Sequence, residues 1–395
     1  MKRFFYFLTA FLCIVVSCDK VSTSSILEEP VVNAEAQLFY ANLAEIIKAT
    51  TSFQVYTKSQ AYDEHENLSE FYLTHDIEYP LFAKLASIDI LTEEGNHVSF
   101  FDLPMEEQSR FIEEFAHHEA EMLSQKIEQV PILEQYVAAQ NEVITEVIDS
   151  LAINTKAGSL SINDSKVFLS TLSERIADMA NKFIYEDCDI LTKGSDKKQD
   201  VENELPFEYV KSLMVGKVNR GDIIMALPCH NNPKCVVDFG NIRYKVGHAE
   251  IFTRAIDLKS KIDEYYTIGA WTQEGVSEQT LNNWCCKSYV LGVCTYKTKY
   301  VWKGLSLSIF PEQTPINNPA ALATWAEKYI NKEYVKWYEF LTAKWAAPNR
   351  FTCTSLVWWC AKNAYDERIS PWLSAIVSPS DVLMDSNTYI KVIIE

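Results

Sequence analysis

Cys353 lies in Arg350-Phe351-Thr352-Cys353-Thr354-Ser355-Leu356-Val357-Trp358-Trp359-Cys360. Asn349 and Thr352, both able to cap, precede a run with helical apolar spacing. That pattern puts the thiol at a helix N-terminus. Backbone N–H groups and the helix dipole there favour a thiolate and raise the fraction of active nucleophile. The same N–H groups can also hold a developing oxyanion. Cys360 falls further into the same helix, where burial raises a thiol pKa and makes it inert. A thiol nucleophile needs a base on a rigid element. Val246-Gly247-His248-Ala249-Glu250-Ile251-Phe252 supplies a histidine that follows a glycine and opens a strand-like run. Either residue alone has a plainer reading, a buried cysteine or a structural histidine. Their co-occurrence with an upstream Gly-Asp-Ile-Ile carries the argument.

The elements that must position this pair are legible around it. Residues 221–226 read as a turn and then a buried strand. Residues 246–255 and 264–272 read as two more strands joined by a polar turn at 257–263, and 290–296 and 300–309 as a further two. Residues 319–329 and 353–365 carry helical periodicity. Strands grouped together with helices packed against them make an α+β domain over residues 205–395. Upstream, residues 36–190 show apolar positions at three- and four-residue steps and read as a helical domain of unassigned role. Residues 191–204, rich in Lys, Asp and Glu, read as a linker. His117 and His118 sit in the helical part beside Glu119 and Glu121. Adjacent helical residues point in different directions, so this is read as a solvated face rather than a metal site.

In chain order the second half presents Gly221-Asp222-Ile223-Ile224, then Gly247-His248, then Gly275-Val276 with Trp284 after it. Next come Ala326 with Tyr329-Ile330-Asn331-Lys332-Glu333-Tyr334, then Cys353-Thr354-Ser355-Leu356-Val357-Trp358, and last Pro379-Ser380-Asp381-Val382 with Ser386. In order and spacing this set resembles the circularly permuted branch of the papain-like, NlpC-type cysteine hydrolases, the YiiX-like and YycO-like proteins. The resemblance covers residues 205–395 and leaves the helical half without a counterpart. It implies a permuted papain-like domain, a small antiparallel sheet or barrel packed on helices. It further implies Cys353 as nucleophile and His248 as base, with no cofactor. Tyr334 matches a tyrosine that lines the cleft, a candidate oxyanion donor. Family members often carry an acidic residue on the strand after the histidine, where this chain has Gly269. By strand parity with that position Gln273 is taken as the third, polar member of the site. Glu250, two residues from His248 on the same strand face, and Glu274 are the alternatives. The chemistry implied is thiolate attack on an amide through an acyl-enzyme, with peptidoglycan peptide stems as the expected substrate. Two other readings stand beside it. One is an acyl or lipid hydrolase or acyltransferase of the same fold, to which lecithin retinol acyltransferase is related. The other is a catalytically weak, envelope-binding lipoprotein.

The N-terminus bears on compartment. Lys2 and Arg3 precede an apolar run that ends in Val15-Val16-Ser17-Cys18. The run is too short to span a bilayer and has the build of a signal-peptide core. Its last residues fit a bacterial lipoprotein cleavage site, giving a signal peptide at 1–17, diacylglycerol on Cys18 and a polar tether at 18–35. The expected location is the cell envelope, held to the membrane by lipid. A net charge of −18 argues against nucleic acid as a partner. Of ten cysteines, Cys13 leaves with the signal. Cys229, His230 and Cys235 lie close together but match no usual zinc spacing, so no metal is expected. In an oxidising compartment Cys229 with Cys235, and Cys294 with Cys285 or Cys286, are candidates for disulfides. Residues 228–245, ahead of the histidine strand, are expected to form a flap at the cleft.

Overall fold

The computed structural model describes residues 32–50, 67–152, 160–185, 205–226, 237–239, 242–244, 248–271, 274–284, 289–303, 309–336 and 343–394. The lipidation site at Cys18, the linker at 191–204, Gln273, and Cys229, His230, Cys235, Cys285 and Cys286 lie outside them. In chain order the helices are α1 (Ala34–Ala49), α2 (Leu68–Thr74), α3 (Pro80–Ala86), α4 (Met105–Gln129), α5 (Ile132–Ala152), α6 (Ile162–Tyr185), α7 (Phe207–Met214), α8 (Ala321–Glu327), α9 (Ala343–Ala346), α10 (Cys353–Tyr365) and α11 (Pro379–Met384). The strands are β1 (Asp89–Leu91), β2 (His97–Val98), β3 (Ile223–Ala226), β4 (Val237–Phe239), β5 (Ile242–Tyr244), β6 (His248–Phe252), β7 (Tyr265–Trp271), β8 (Gly275–Thr280), β9 (Tyr289–Trp302), β10 (Ile309–Pro315), β11 (Glu333–Tyr334), β12 (Arg350–Phe351) and β13 (Thr388–Ile394). The fold is α+β.

Apolar residues at helical spacing make one buried stripe on each long N-terminal helix: Phe39, Leu43 and Ile47 on α1, then Phe111, Phe115 and Leu123 on α4. The main sheet runs β2-β1-β9-β3-β6-β7-β8, with β10 and β13 also pairing β9. Residues 289–302 form one 14-residue strand in place of the break expected near 297–299. The two halves of this strand serve different neighbours. Val290–Thr295 register against β13, and Tyr296–Trp302 against β10. β1, from the helical half of the sequence, joins the sheet by pairing parallel with Lys299–Val301 of β9. Alternation along the strands splits the apolar residues between two cores. Ile223, Met225, Ala249 and Ile251 join the large cluster that also takes in α1, α4 and α10. Ile224, Ala226 and Phe252 face a smaller cluster with α7 and Trp284.

Buried polar groups seam the N-terminal helices to the rest. Lys84 on α3 ion-pairs with Asp385 and donates to the Arg368 carbonyl at 2.6 Å. Lys126 on α4 donates to the Leu383 carbonyl at 2.8 Å, and burial pulls its ammonium pKa down to about 8. The Tyr40 and Tyr300 hydroxyls both donate to Glu119. Tyr136 donates to Asp381 at 3.0 Å. Each bond satisfies a group whose burial alone would be costly. Val32–Glu395 form one compact unit. Among the described helices none is long and apolar enough to cross a membrane.

Candidate active site

Thr352 caps α10. Its side-chain oxygen accepts from the Ser355 N–H at 3.1 Å, and Ser355 Oγ accepts from the Thr352 N–H at 2.8 Å. This reciprocal pair satisfies two donors of the first turn and fixes where the helix begins. Cys353 is therefore the first residue of α10. The strand ahead of it, β12, pairs in parallel with β11, which sets Glu333 against Arg350 and Tyr334 against Phe351. Tyr334, half-buried, lies across from the residue two positions before Cys353. Gly275, with φ +69°, lets β8 approach β11 closely, since a Cβ there would fall 2.2 Å from the Lys332 carbonyl oxygen.

His248 opens β6 with its ring buried, hydrogen-bonded to Cys353 on one side. On the other side Nε2 lies 3.0 Å from Glu250 Oε1. A carboxylate can only accept, so Nε2 carries the proton it donates, and Nδ1 is left for the thiol. The indole of Trp271 lies 4.3 Å from the imidazole, centroid to centroid, and that of Trp284 5.7 Å. Both indoles pack close to the imidazole. Glu250, fully buried, also accepts from Thr267 Oγ1 and from Trp284 Nε1 at 3.1 Å.

The electrostatics follow from these contacts. Burial on its own would pull the His248 pKa down. The Cys353 sulfur and Glu250 outweigh it and carry the value up to about 9. Burial pushes the Cys353 thiol up. The imidazolium, together with the N–H groups of Ala249 and Thr354, more than offsets this and brings it below an ordinary thiol. The two shifts act in the same direction, toward a thiolate beside an imidazolium. Cys360, two turns further on, is fully buried among apolar residues. Its thiol is driven strongly upward by that burial and is inert.

Of the residues considered for the third position, Glu250 meets His248 directly and Gln273 lies outside the described residues. Glu274 accepts from Ser277 Oγ at 3.1 Å and Gln279 Nε2 at 3.0 Å, on the edge strand β8. Against protein-family models, curated proteins and solved structures, the chain matches nothing. The remaining sequence motifs have structural explanations. Asp222 is buried, accepts from Lys391 at 2.6 and 2.8 Å, and locks β13 to the start of β3. Asp381 closes the capping box of α11 with Ser378. His118 is a tether: Nε2 donates to the Ile309 carbonyl at 2.6 Å, tying α4 to β10. Among the described residues no group of three His, Cys, Asp or Glu side chains is placed to hold a metal ion. Within residues 228–245 the described backbone is a hairpin, β4 paired with β5. The sequence marks Trp284 only through the resemblance and gives Thr267 no signal as a support for the site. The alternation of β7 puts Thr267 on the side of Gly269, but nothing in the sequence says that a neighbouring strand offers a carboxylate there.

Proposed function

We propose that the protein is a cysteine hydrolase, with a permuted papain-like domain at residues 205–395, that cleaves an amide bond by thiolate attack. The observation that carries this is the chain of contacts from Cys353 at the first turn of α10 through His248 to Glu250. The Cys353 thiolate adds to the carbonyl carbon, and the oxyanion is received by N–H groups at the start of α10, with Tyr334 a further candidate donor. The imidazolium gives its Nδ1 proton to the leaving amine, which leaves an acyl-enzyme. Water then attacks the thioester while His248 takes its proton, and Cys353 is released. Glu250 holds the imidazole in one tautomer and steadies its positive charge. Peptide stems of peptidoglycan are the substrate consistent with the lipoprotein signal at Cys18 and the cell-envelope location it implies.

The test is alkylation of Cys353 by iodoacetamide as a function of pH in the wild type and in His248→Ala, followed by muropeptide digestion. Fast labelling at pH 6–7 that is lost in His248→Ala, with new amine termini released from muropeptides, is the expected result. Activation with turnover of acyl esters but not muropeptides would move the substrate to acyl groups. Labelling at the rate of an ordinary thiol, whose pKa is about 8.5, with no dependence on His248, would reduce the domain to a binding module.

A further inference from the structure

Glu250 and Gly269 are direct cross-strand partners on β6 and β7. A Cβ built on Gly269 would stand 2.5 Å from Glu250 Cγ, 2.9 Å from its Cδ and 2.8 Å from Oε1. No side chain fits there unless the Glu250 side chain moves. Glycine in the interior of a strand weakens it and marks a bulge, a bend or a close approach. The β6–β7 ladder keeps its register from Phe252–Thr267 up to this pair, where it ends, the β7–β8 ladder runs through Gly269 without a shift, and Gly269 is not among the glycines with positive φ. What remains is the approach of the carboxylate. Glu250 lies across the backbone of Gly269 and is held by Thr267 Oγ1 and Trp284 Nε1 while Oε1 receives His248 Nε2.

The geometry points to Gly269 as a positioning residue of the active site. Its missing side chain is the space in which Glu250 reaches His248, and Thr267 and Trp284 clamp the carboxylate there. This rests on the reading of Cys353 and His248 as an activated pair. It assigns a role in that pair to a residue with no functional group of its own.

The test is a double-mutant cycle between Gly269→Ala and Glu250→Ala, read by the pH profile of Cys353 alkylation and by the ring-proton titration of His248. Gly269→Ala should lower the labelling rate at pH 6 by about tenfold, the order expected for loss of one charge-assisted hydrogen bond. It should also move the His248 titration down, in the same direction as Glu250→Ala. In the Glu250→Ala background, Gly269→Ala should change the rate by less than about twofold, because the group it displaces is gone. Equal effects of Gly269→Ala in both backgrounds, or an unchanged profile in the single variant, would overturn the proposal. Should Gly269→Ala alone fail to fold, the double variant decides: recovery of the fold supports the clash with Glu250, and failure of both refutes it. A wild type whose labelling ignores His248→Ala would defeat the hydrolase reading instead. The His248 titration across the cycle would still report on Gly269.

Discussion

The coupling between Cys353 and His248 makes a prediction that needs no substrate. His248 has an ordinary pKa near 6.5 and is carried to about 9, with burial opposing the rise and the Cys353 sulfur and Glu250 driving it. The gap corresponds to roughly 3 kcal/mol in favour of the imidazolium over the neutral ring. Replacing Cys353 by Ser removes the larger of the two driving contributions, because a serine hydroxyl does not ionise in this range. Glu250 alone then works against burial, and His248 should titrate well below 9. Adding Glu250→Gln leaves burial unopposed, and the titration should fall below 6.5. The assay is the pH dependence of the His248 ring-proton chemical shifts, assigned by their loss in His248→Ala. Stability should follow the same sign. A raised histidine pKa contributes fully below 6.5, and the contribution is lost as pH climbs through about 9. The lowered thiol pKa contributes above the unfolded thiol value and is lost as pH falls through the folded one. The wild type should therefore gain most over Cys353→Ser in the window where thiolate and imidazolium coexist, and the gain should shrink above about pH 9. A Cys353→Ser variant whose His248 still titrates near 9 would refute the coupling. So would a wild-type His248 that titrates near 6.5.

Three further outcomes are expected. Thr352→Ala removes the cap of α10 and should cost about 1 kcal/mol in urea unfolding, with Thr352→Ser retaining most of it; equal losses in the two variants would mean that the capping oxygen is not responsible. Lys84→Met leaves the fully buried Asp385 carboxylate without its cation and should cost about 3–5 kcal/mol. Lys84→Met/Asp385→Leu should recover much of that, and a denaturation midpoint unmoved by Lys84→Met would contradict the burial of the pair. Cys360→Ala should leave native-state thiol labelling unchanged and remove one equivalent only after unfolding, as quantified with a chromogenic disulfide.

What could be read from the sequence was local. Thr352, Cys353 and the apolar spacing after them specify a capped helix start within a dozen residues, and α10 begins where that pattern puts it. His248 opening a strand is likewise a short-range inference, from a glycine and a β-branched, aromatic run, and β6 starts there. Contacts set by register were not legible. For Glu250 and Gln273 the sequence offers only parity along single strands. The carboxylate's approach to His248 depends instead on how β6 lies against β7, with Gly269 opposite Glu250. Long-range pairing hid other elements. Asp89–Leu91 is three residues inside a helical stretch, and besides the two-residue β2 it is β9, some two hundred residues later, that takes it into the main sheet. Residues 290–296 and 300–309 read as two strands, with Lys297 and Lys299 between them. The chain continues as one strand because β10 pairs with it from Tyr296 to Trp302, across both lysines, and β1 joins from Lys299 onward.

The described helical residues bear on the site through α10. One face of α10 presents Cys353 to β6. Lys362, on another face, donates to Asp76 at 2.7 Å, in the loop after α2, and Asp76 also lies 3.4 Å from Arg368 Nε. Thr354 Oγ1 donates to the Val377 carbonyl just ahead of α11, and α11 is itself pinned to α5 by Tyr136 and Gln140 on Asp381. A nucleophile at a helix N-terminus is only as well placed as its helix, because its reach to the base is a matter of tenths of an ångström. In this chain the axis of α10 is fixed from behind by ion pairs and hydrogen bonds to residues far upstream. His248 is fixed from the side by a carboxylate that needs a glycine opposite it. Cys353 and His248 are thus each held by supports of their own, over a core that α10 and β6 share.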